Sequence, residues 1–321
     1  MRTAGIALVF AIGVSIAAGA LAQSYPTKAV RVIIPNSPGS GLDIIGRWVS
    51  QKLSQIWGQP VVVDNRPGAG GTLGTGIVAR SPADGYTLLV AASNHAVNLA
   101  LYTNLPYDTF KDFLEIAPLA ALYEALVVSP SAGLKNVSEL IAAAKAKPGQ
   151  LTFASAGMGG ATHFSGEKFR LAAGIAVVHV PYKGGPEGMT DVMMGRVTYY
   201  LPPIGTALPF IKAGKLVALG VSGRQRSALL PEVPTIAEAG VANFEDMLWF
   251  GMWVPARVPA GIVDKLAKDT SRALAAPDLR EQFRSLAAEP MSMTRTEFAR
   301  FVRSEAEVAA RVANAAGIKP Q

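Results

Sequence analysis

VRVIIPNSPGSGLDIIGRWVSQKLSQI, residues 30–56, runs through a strand, a turn and a helix without a break. Val30–Pro35 is a short β-branched apolar run, the pattern of a buried strand. Ile44, Ile45, Trp48, Val49, Leu53 and Ile56 then recur at the spacing of one helical face. The connection, Asn36-Ser37-Pro38-Gly39-Ser40-Gly41-Leu42-Asp43, is small, polar and Gly-rich. A buried strand feeding an amphipathic helix is the unit of an α/β fold.

The same alternation continues outward. Val61–Val63 reads as a strand, followed by a Gly-rich loop and a helix near Thr72–Arg80. Tyr86–Ala92 and Glu124–Ser129 are further strands. Asn136 and Glu139 have capping-box spacing ahead of Leu140–Lys147, which Pro148-Gly149 closes. Leu151–Ala154, Ala176–Val180, Arg196–Leu201 and Leu216–Val221 extend the strand series, with helices between them. After Leu248–Val254 the chain reads as helices alone: Ala260–Ala275, Asp278–Ala288 and Thr296–Ala316. The expectation is two α/β lobes with mostly parallel sheets and a helical C-terminal segment. No repeat of 20–50 residues is visible.

The chain has 321 residues, half of them hydrophobic and 17% charged, which excludes a disordered chain and suits about two domains. With no Cys, disulfides, thiolate metal sites and Cys nucleophiles are excluded, and three His leave little for metal catalysis. Arg2, the uncharged run Ala4–Ala20 and the small-x-small stretch Ala20-Leu21-Ala22 read as a signal peptide, residues 1–22, cut before Gln23. A short membrane anchor is the competing reading; the Ala/Gly composition and the polar turn at Gln23 weigh against it. Secretion without Cys suits a bacterial periplasm. Removing residues 1–22 takes Arg2 from the net charge of +7 and leaves +6. The basic residues are scattered among acids, with no basic stripe for nucleic acid.

Three loops join Gly to small polar residues just after strands: residues 36–43, 65–72 and 155–163. Strand-to-helix turns leave free amides where the helix dipole favours negative charge, and Gly lets a ligand approach the backbone. Two such loops in two lobes point to a shared anion site, although any one of them serves equally as a tight turn. No Gly-Lys-Ser/Thr follows a loop, and Leu73 stands where a dinucleotide fingerprint requires Gly. Asp43 is either a helix cap or a cleft carboxylate. His163 and Glu167 share a helical face, but without a third ligand they argue for no metal; His95 and His179 read as packing positions. No G-x-S-x-G surrounds Ser155 or Ser222, so no catalytic constellation is visible and no cofactor is expected. A secreted α/β hydrolase is therefore the weaker alternative.

Six segments occur together: YPTKAVRVIIPNSPGSGLDIIGR (25–47), GQPVVVDNRPGAGG (58–71), DGYTLL (84–89), LTFASAGMGGATH (151–163), HVPYKGG (179–185) and EVPTIAEAG (232–240). In this order they closely resemble the tripartite tricarboxylate transporter receptor family, or Bug proteins, across the whole mature chain. The resemblance implies a type II periplasmic-binding-protein fold, two α/β lobes joined by crossing strands near 121–128 and 248–255. Lobe I would comprise residues 23–122 and 253–321, and lobe II residues 123–252. It implies a monomeric, non-enzymatic receptor that binds a small carboxylate and docks on a two-component membrane permease. A receptor that presents its ligand to a sensor kinase would share the same binding chemistry.

Carried over, the ligand loops are Ser37, Pro38, Gly39, Ser40, Gly41 and Asp43 in lobe I, and Ser155, Ala156, Gly157 and Thr162 in lobe II. Ser93, Asn94, Tyr182, Lys183 and Gly184 would complete the walls. Ser155 and Thr162 would donate hydroxyl hydrogen bonds, Gly39–Gly41 and Gly157 would present amides, and Lys183 is the candidate for charge pairing. Family members often carry Asp or Asn where this chain has Val197–Thr206, VTYYLPPIGT. Tyr199, Tyr200, Pro202 and Pro203 there suit a flatter or more apolar carboxylate, aromatic ones included, unless they face the core.

Overall fold

The computed structural model describes residues 25–320, so the expected signal peptide lies outside the described residues. Two mixed sheets organise the chain. The first is built from β1 (Val30–Ile34), β2 (Val61–Asn65), β3 (Thr87–Ala92), β4 (Phe113–Leu122), β10 (Leu248–Pro255) and β11 (Ala288–Pro290), in the order β11-β4-β10-β3-β1-β2. The second holds β5 (Ala125–Val128), β6 (Thr152–Ser155), β7 (Val178–Pro181), β8 (Tyr199–Tyr200) and β9 (Val217–Val221), in the order β7-β6-β8-β5-β9.

The two orders are the same arrangement built twice. In each sheet three parallel strands (β2-β1-β3 and β7-β6-β8) meet one reversed strand, β10 or β5, that arrives from the other half of the chain. Each reversed strand also pairs antiparallel with a further strand, β4 or β9. The sheets are therefore mixed, which corrects the expectation of mostly parallel pairing: each chain crossing inserts a strand of opposite sense.

The first crossing takes two residues, Tyr123 and Glu124, between β4 and β5. The return lies between β9 and β10, because β10 pairs with β4 along its whole length. A lobe boundary at 252/253 thus cuts a strand of the first sheet, and residues 248–252 belong with that sheet. The crossings are tied together. Ser222 Oγ accepts the Glu124 N–H at 2.9 Å and donates to the Asp246 carbonyl at 2.7 Å.

The helices follow from local chemistry. In α1 (Gly41–Trp57) the Ser40 hydroxyl caps the first turn by accepting the Asp43 N–H, and Gly58, at φ 63°, ends the helix in the left-handed region. α10 (Arg295–Ala316) opens on a complete capping box, Thr294 with Glu297. α1 buries Ile45, Val49 and Leu53 against β1 and β3, in one core with Phe250 and Met252 of β10. The second sheet has its own core around Phe153, Phe169, Tyr199 and Ile236.

α10 packs on both halves. Its Ala309 and Ala313 meet Val97 and Leu101 of α3 (Asn94–Leu101) and Phe164 of α5 (Ala161–Ala173). Three elements escaped the sequence reading: β4, α3 and β11, the last of which interrupts the all-helical tail. Arg196–Leu201 contracts to the two residues of β8.

Candidate ligand-binding site

A cleft of about 1020 Å³ opens between the two sheets. Six strand-to-helix turns line it, three from each half: β1–α1, β2–α2 and β3–α3 facing β6–α5, β7–α6 and β8–α7, where α2 is Thr72–Ala79, α6 is Gly185–Met193 and α7 is Ile204–Lys212. First-turn amides lack an acceptor inside their own helix, and each helix brings partial positive charge. Lys183 and Glu187 supply the charged side chains among the lining residues, and both are exposed. The positive character of the cleft therefore comes from backbone.

In the β1–α1 turn Asp43 is 3% exposed and does not line the cleft. Its carboxylate accepts the Gly39 N–H at 2.9 Å, Arg47 Nε at 2.9 Å and Asn65 Nδ2 at 2.8 Å. Burial would raise its pKa, but Arg47, the Gly39 amide and Asn65 outweigh burial and hold it below the usual carboxylate value. Asp43 is neither the cap, which is Ser40, nor a cleft carboxylate. It fixes the turn so that Gly41 and Leu42 face the ligand space.

In the β6–α5 turn, capped by Gly160 without a side chain, neutral groups do the corresponding work. Ser155 is fully buried, its Oγ 2.6 Å from His179 Nε2 and accepting the Gly157 N–H at 3.1 Å. Thr162 Oγ1 accepts the Ala156 N–H at 2.9 Å, and His163 Nδ1 the Gly159 N–H at 3.2 Å. The two imidazoles stack with centroids 3.9 Å apart, and Phe153 stacks on His179. Burial, then Arg170, lowers His163 to about 4; burial, then His163, lowers His179 to about 3. Both rings are neutral at pH 7.

A serine hydroxyl on an imidazole is the start of a nucleophile–base pair. Here Ser155 is inaccessible, the imidazole is a poor base, and His179 Nδ1 has no hydrogen-bond partner to orient it. The pair is a brace for the turn. Glu167, the expected companion of His163, is bound by Arg170 Nε at 2.7 Å, and no group of three or more metal-ligating side chains occurs among the described residues.

Of the residues expected at the site, Ser37, Gly39, Ser40, Gly41, Asn94, Ala156, Gly157, Thr162, Tyr182 and Lys183 line the cleft. Pro38, Asp43, Ser93, Ser155 and Gly184 do not. Pro38 is exposed beside it. Ser93 faces a second, small cavity with Lys168, Asp246 and Glu305. Gly184 sits at the seam, where a Cβ would stand 2.8 Å from Ser37 Oγ.

Two expected donors are already occupied: the Gly39 amide by Asp43 and the Gly157 amide by Ser155. The amides open to the cleft at these turns belong instead to the first turns, Gly41–Leu42 and Ala161–Thr162. Tyr182 directs its hydroxyl to Asp191 at 2.6 Å and lines the cleft; burial, then the Asp191 carboxylate, pushes its pKa up to about 12. Tyr199 is buried in the core, while Tyr200, Pro202 and Pro203 line the cleft. Sequence reasoning missed Tyr102, Phe210, Phe250 and Leu286 in the lining. Only the spacing of Pro203, Thr206 and Phe210 on one helix could have signalled part of it.

The halves touch across the cleft. Ser37 Oγ donates to the Lys183 carbonyl at 3.3 Å. At Gly70 a Cβ would lie 2.8 Å from the Met158 carbonyl oxygen, and at Gly205 one would lie 2.3 Å from Leu286 Cα.

Residues 45–318 match the Tripartite tricarboxylate transporter family receptor, TctC. The chain is 34% identical over 313 residues to protein BugT of Bordetella pertussis, covering 97% of this chain and 96% of BugT. Among solved structures it superimposes on Rhodopseudomonas palustris Rpa4515, solved with adipate, with a TM-score of 0.88 at 32% identity, covering 92% of this chain and all of that one. MatC of the same organism, solved with malate, gives a TM-score of 0.84 at 29% identity, covering 90% of this chain and 99% of that one. The fold is the two-lobed one of periplasmic binding proteins, whose members are solute receptors. By family match, full-length relatives and fold alike, this chain belongs to the tripartite tricarboxylate transporter receptor family.

Proposed function

We propose that the protein is a periplasmic receptor that binds a small carboxylate between its lobes and delivers it to the membrane permease of a tripartite transporter. The observation that carries this reading is the convergence of helix first turns from both halves, α1 and α3 facing α5, α6 and α7, on a cleft whose lining has two charged side chains. Such a cleft binds an anion through backbone amides, bridging water and dipoles. Adipate and malate in the two related structures are anions of the same class.

In this reading the first-turn amides of α1 and α5 face one carboxylate from opposite sides, so the ligand itself joins the lobes. Lobe I is the half built on the first sheet and lobe II the half built on the second, with the crossings at Tyr123–Glu124 and 222–247 as hinge. Asn94, Thr162 and the Tyr182 ring border the ligand, and Lys183 adds charge at the rim. Closure creates a surface that neither lobe presents alone, and a permease that reads this surface distinguishes loaded from empty receptor. The receptor acts as a monomer, without cofactor or metal, exported by cleavage before Gln23.

Thermal denaturation of the chain from Gln23 against mono-, di- and tricarboxylates tests the reading. A ligand at a hundredfold excess over its Kd adds about 2.7 kcal/mol of stability. A selective rise in Tm for one class of acid is the expected result; a flat response from a folded, ligand-free protein across the whole panel would refute it.

A further inference from the structure

The cleft has two unlike ends. One is the ring of first-turn amides around Gly41, Asn94 and Thr162. The other is a flank formed by one face of α7 and the strand and loop opposite: Leu42, Pro203, Phe210, Leu248, Phe250 and Leu286. From Pro203 to Phe210 the helix face runs about 10 Å, at 1.5 Å per residue. Thr206 Oγ1 donates to the Pro203 carbonyl at 2.8 Å, so its hydroxyl is engaged by its own helix.

Gly41 stands where the two ends meet. A Cβ there would meet Leu122, Pro203 and Phe250 in ordinary van der Waals contact at 3.6–3.8 Å, so the first turn of α1 borders the apolar flank. A ligand whose carboxylate sits on the α1 and α5 amides extends its remaining atoms past Gly41 onto that flank.

We infer that this receptor selects a carboxylate with an apolar body of ring size or larger, laid along α7 between Pro203 and Phe210, over short diacids. The inference rests on the carboxylate reading proposed above. A diacid of four to six carbons directs its second carboxylate at Phe250 and Leu286, where the lining has no charged partner and desolvation goes uncompensated. An apolar body buries surface there instead, with about a fourfold gain in affinity for each methylene covered.

Isothermal titration of the chain from Gln23 separates the possibilities. The probes are butyrate, hexanoate, octanoate and 3-phenylpropionate, with malate and adipate as the diacids. Affinity is expected to climb along the monocarboxylate series, with 3-phenylpropionate at least 30-fold tighter than either diacid. Phe210→Ala, on a half-exposed helix position, should weaken 3-phenylpropionate about tenfold more than it weakens butyrate. If malate or adipate binds tightest and the monocarboxylate series is flat, the apolar-body inference falls while the carboxylate reading stands. If the folded protein binds no acid of the set, both fall. The ligand series on the unmodified chain decides the matter even if the variant does not fold.

Discussion

The two halves of the molecule solve one problem in two ways. Each must hold a strand-to-helix turn rigid while leaving the helix's first amides free for a ligand. Lobe I does it with charge: Asp43, Arg47 and Asn65 form a network behind the β1–α1 turn. Lobe II does it with neutral groups: Ser155, Thr162 and two stacked imidazoles stand behind the β6–α5 turn. Apart from the edge strand β11, strand order is the same in both sheets, so topology fixes where the turns meet the cleft, while the means of bracing them is free to differ. The difference shows in how each lobe responds to pH.

The largest expected effect is in acid. His163 and His179 have folded pKa values of about 4 and about 3, below the ordinary 6.5. Their stabilisation is therefore complete above pH 6.5 and is lost as pH falls toward those values, by up to roughly 1.4 kcal/mol per His for each pH unit. Asp43 is also depressed, below 3.8, and its contribution is lost only as pH falls beneath that value. Lobe II should loosen first. All four tryptophans, Trp48, Trp57, Trp249 and Trp253, lie in α1 or β10 of lobe I. Ligand affinity should thus decline between pH 6.5 and 4.5 before tryptophan fluorescence changes; a simultaneous loss would erase the distinction between the lobes.

Asp43→Ala comes next. It leaves Arg47, Asn65 and the Gly39 amide without their shared acceptor, at a cost of about 2–3 kcal/mol. The drop should appear in urea unfolding and persist in ligand-free protein, because the brace belongs to lobe I alone.

Gly205→Ala probes the contact between lobes. Gly205 lies within α7 and its φ is not positive, so no local conformation demands glycine there, and alanine favours a helix by about 1 kcal/mol. Its Cβ would nonetheless stand 2.3 Å from Leu286 Cα, a backbone atom of the other lobe. Affinity should fall about tenfold or more through overpacking of the closed form, visible as a larger radius of gyration at saturating ligand. Unchanged affinity would show that closure does not use this seam.

The smallest effect has the opposite pH sign. Glu124, in the first crossing, is fully buried, and burial together with the Asp246 carboxylate raises its pKa well above 4.5. Lys168, Ser165 and Glu305 surround the same cluster. A raised carboxyl pKa gives stability that is full below 4.5 and lost as pH rises through the folded value. Glu124→Gln should remove that slope and raise stability at pH 8 relative to pH 5, read from chemical denaturation at the two pH values.

Sequence legibility followed locality. Val30–Pro35 and the helix after it are written in neighbouring residues, and the structure returns them almost unchanged. β4 was invisible because FLEIAPLAAL has neither strict alternation nor a β-branched run, and Pro118 lies at a register shift against β10, where a strand tolerates proline. α3 was hidden because Ser93 is the single residue between it and β3, with no Gly or Pro to mark the turn. At the site, the pairing of Asp43 with Arg47 at i+4 lay within reach of the sequence. Asn65 did not, nor did the partnership of Ser155 with His179 across two parallel strands. Loops rich in Gly and Ser marked turns that line the cleft, but which amides remain open depends on side chains that the fold brings from elsewhere.

The central claim is that backbone, not a charged side chain, holds the anion. It is tested most directly by comparing the tightest-binding carboxylate with its primary amide, in the unmodified protein and in Lys183→Met. Helix first turns from both lobes, at roughly 1–2 kcal/mol each, predict that the acid binds on the order of 100-fold tighter than the amide in both proteins. Loss of that preference in Lys183→Met would contradict the account and move the charge recognition to Lys183.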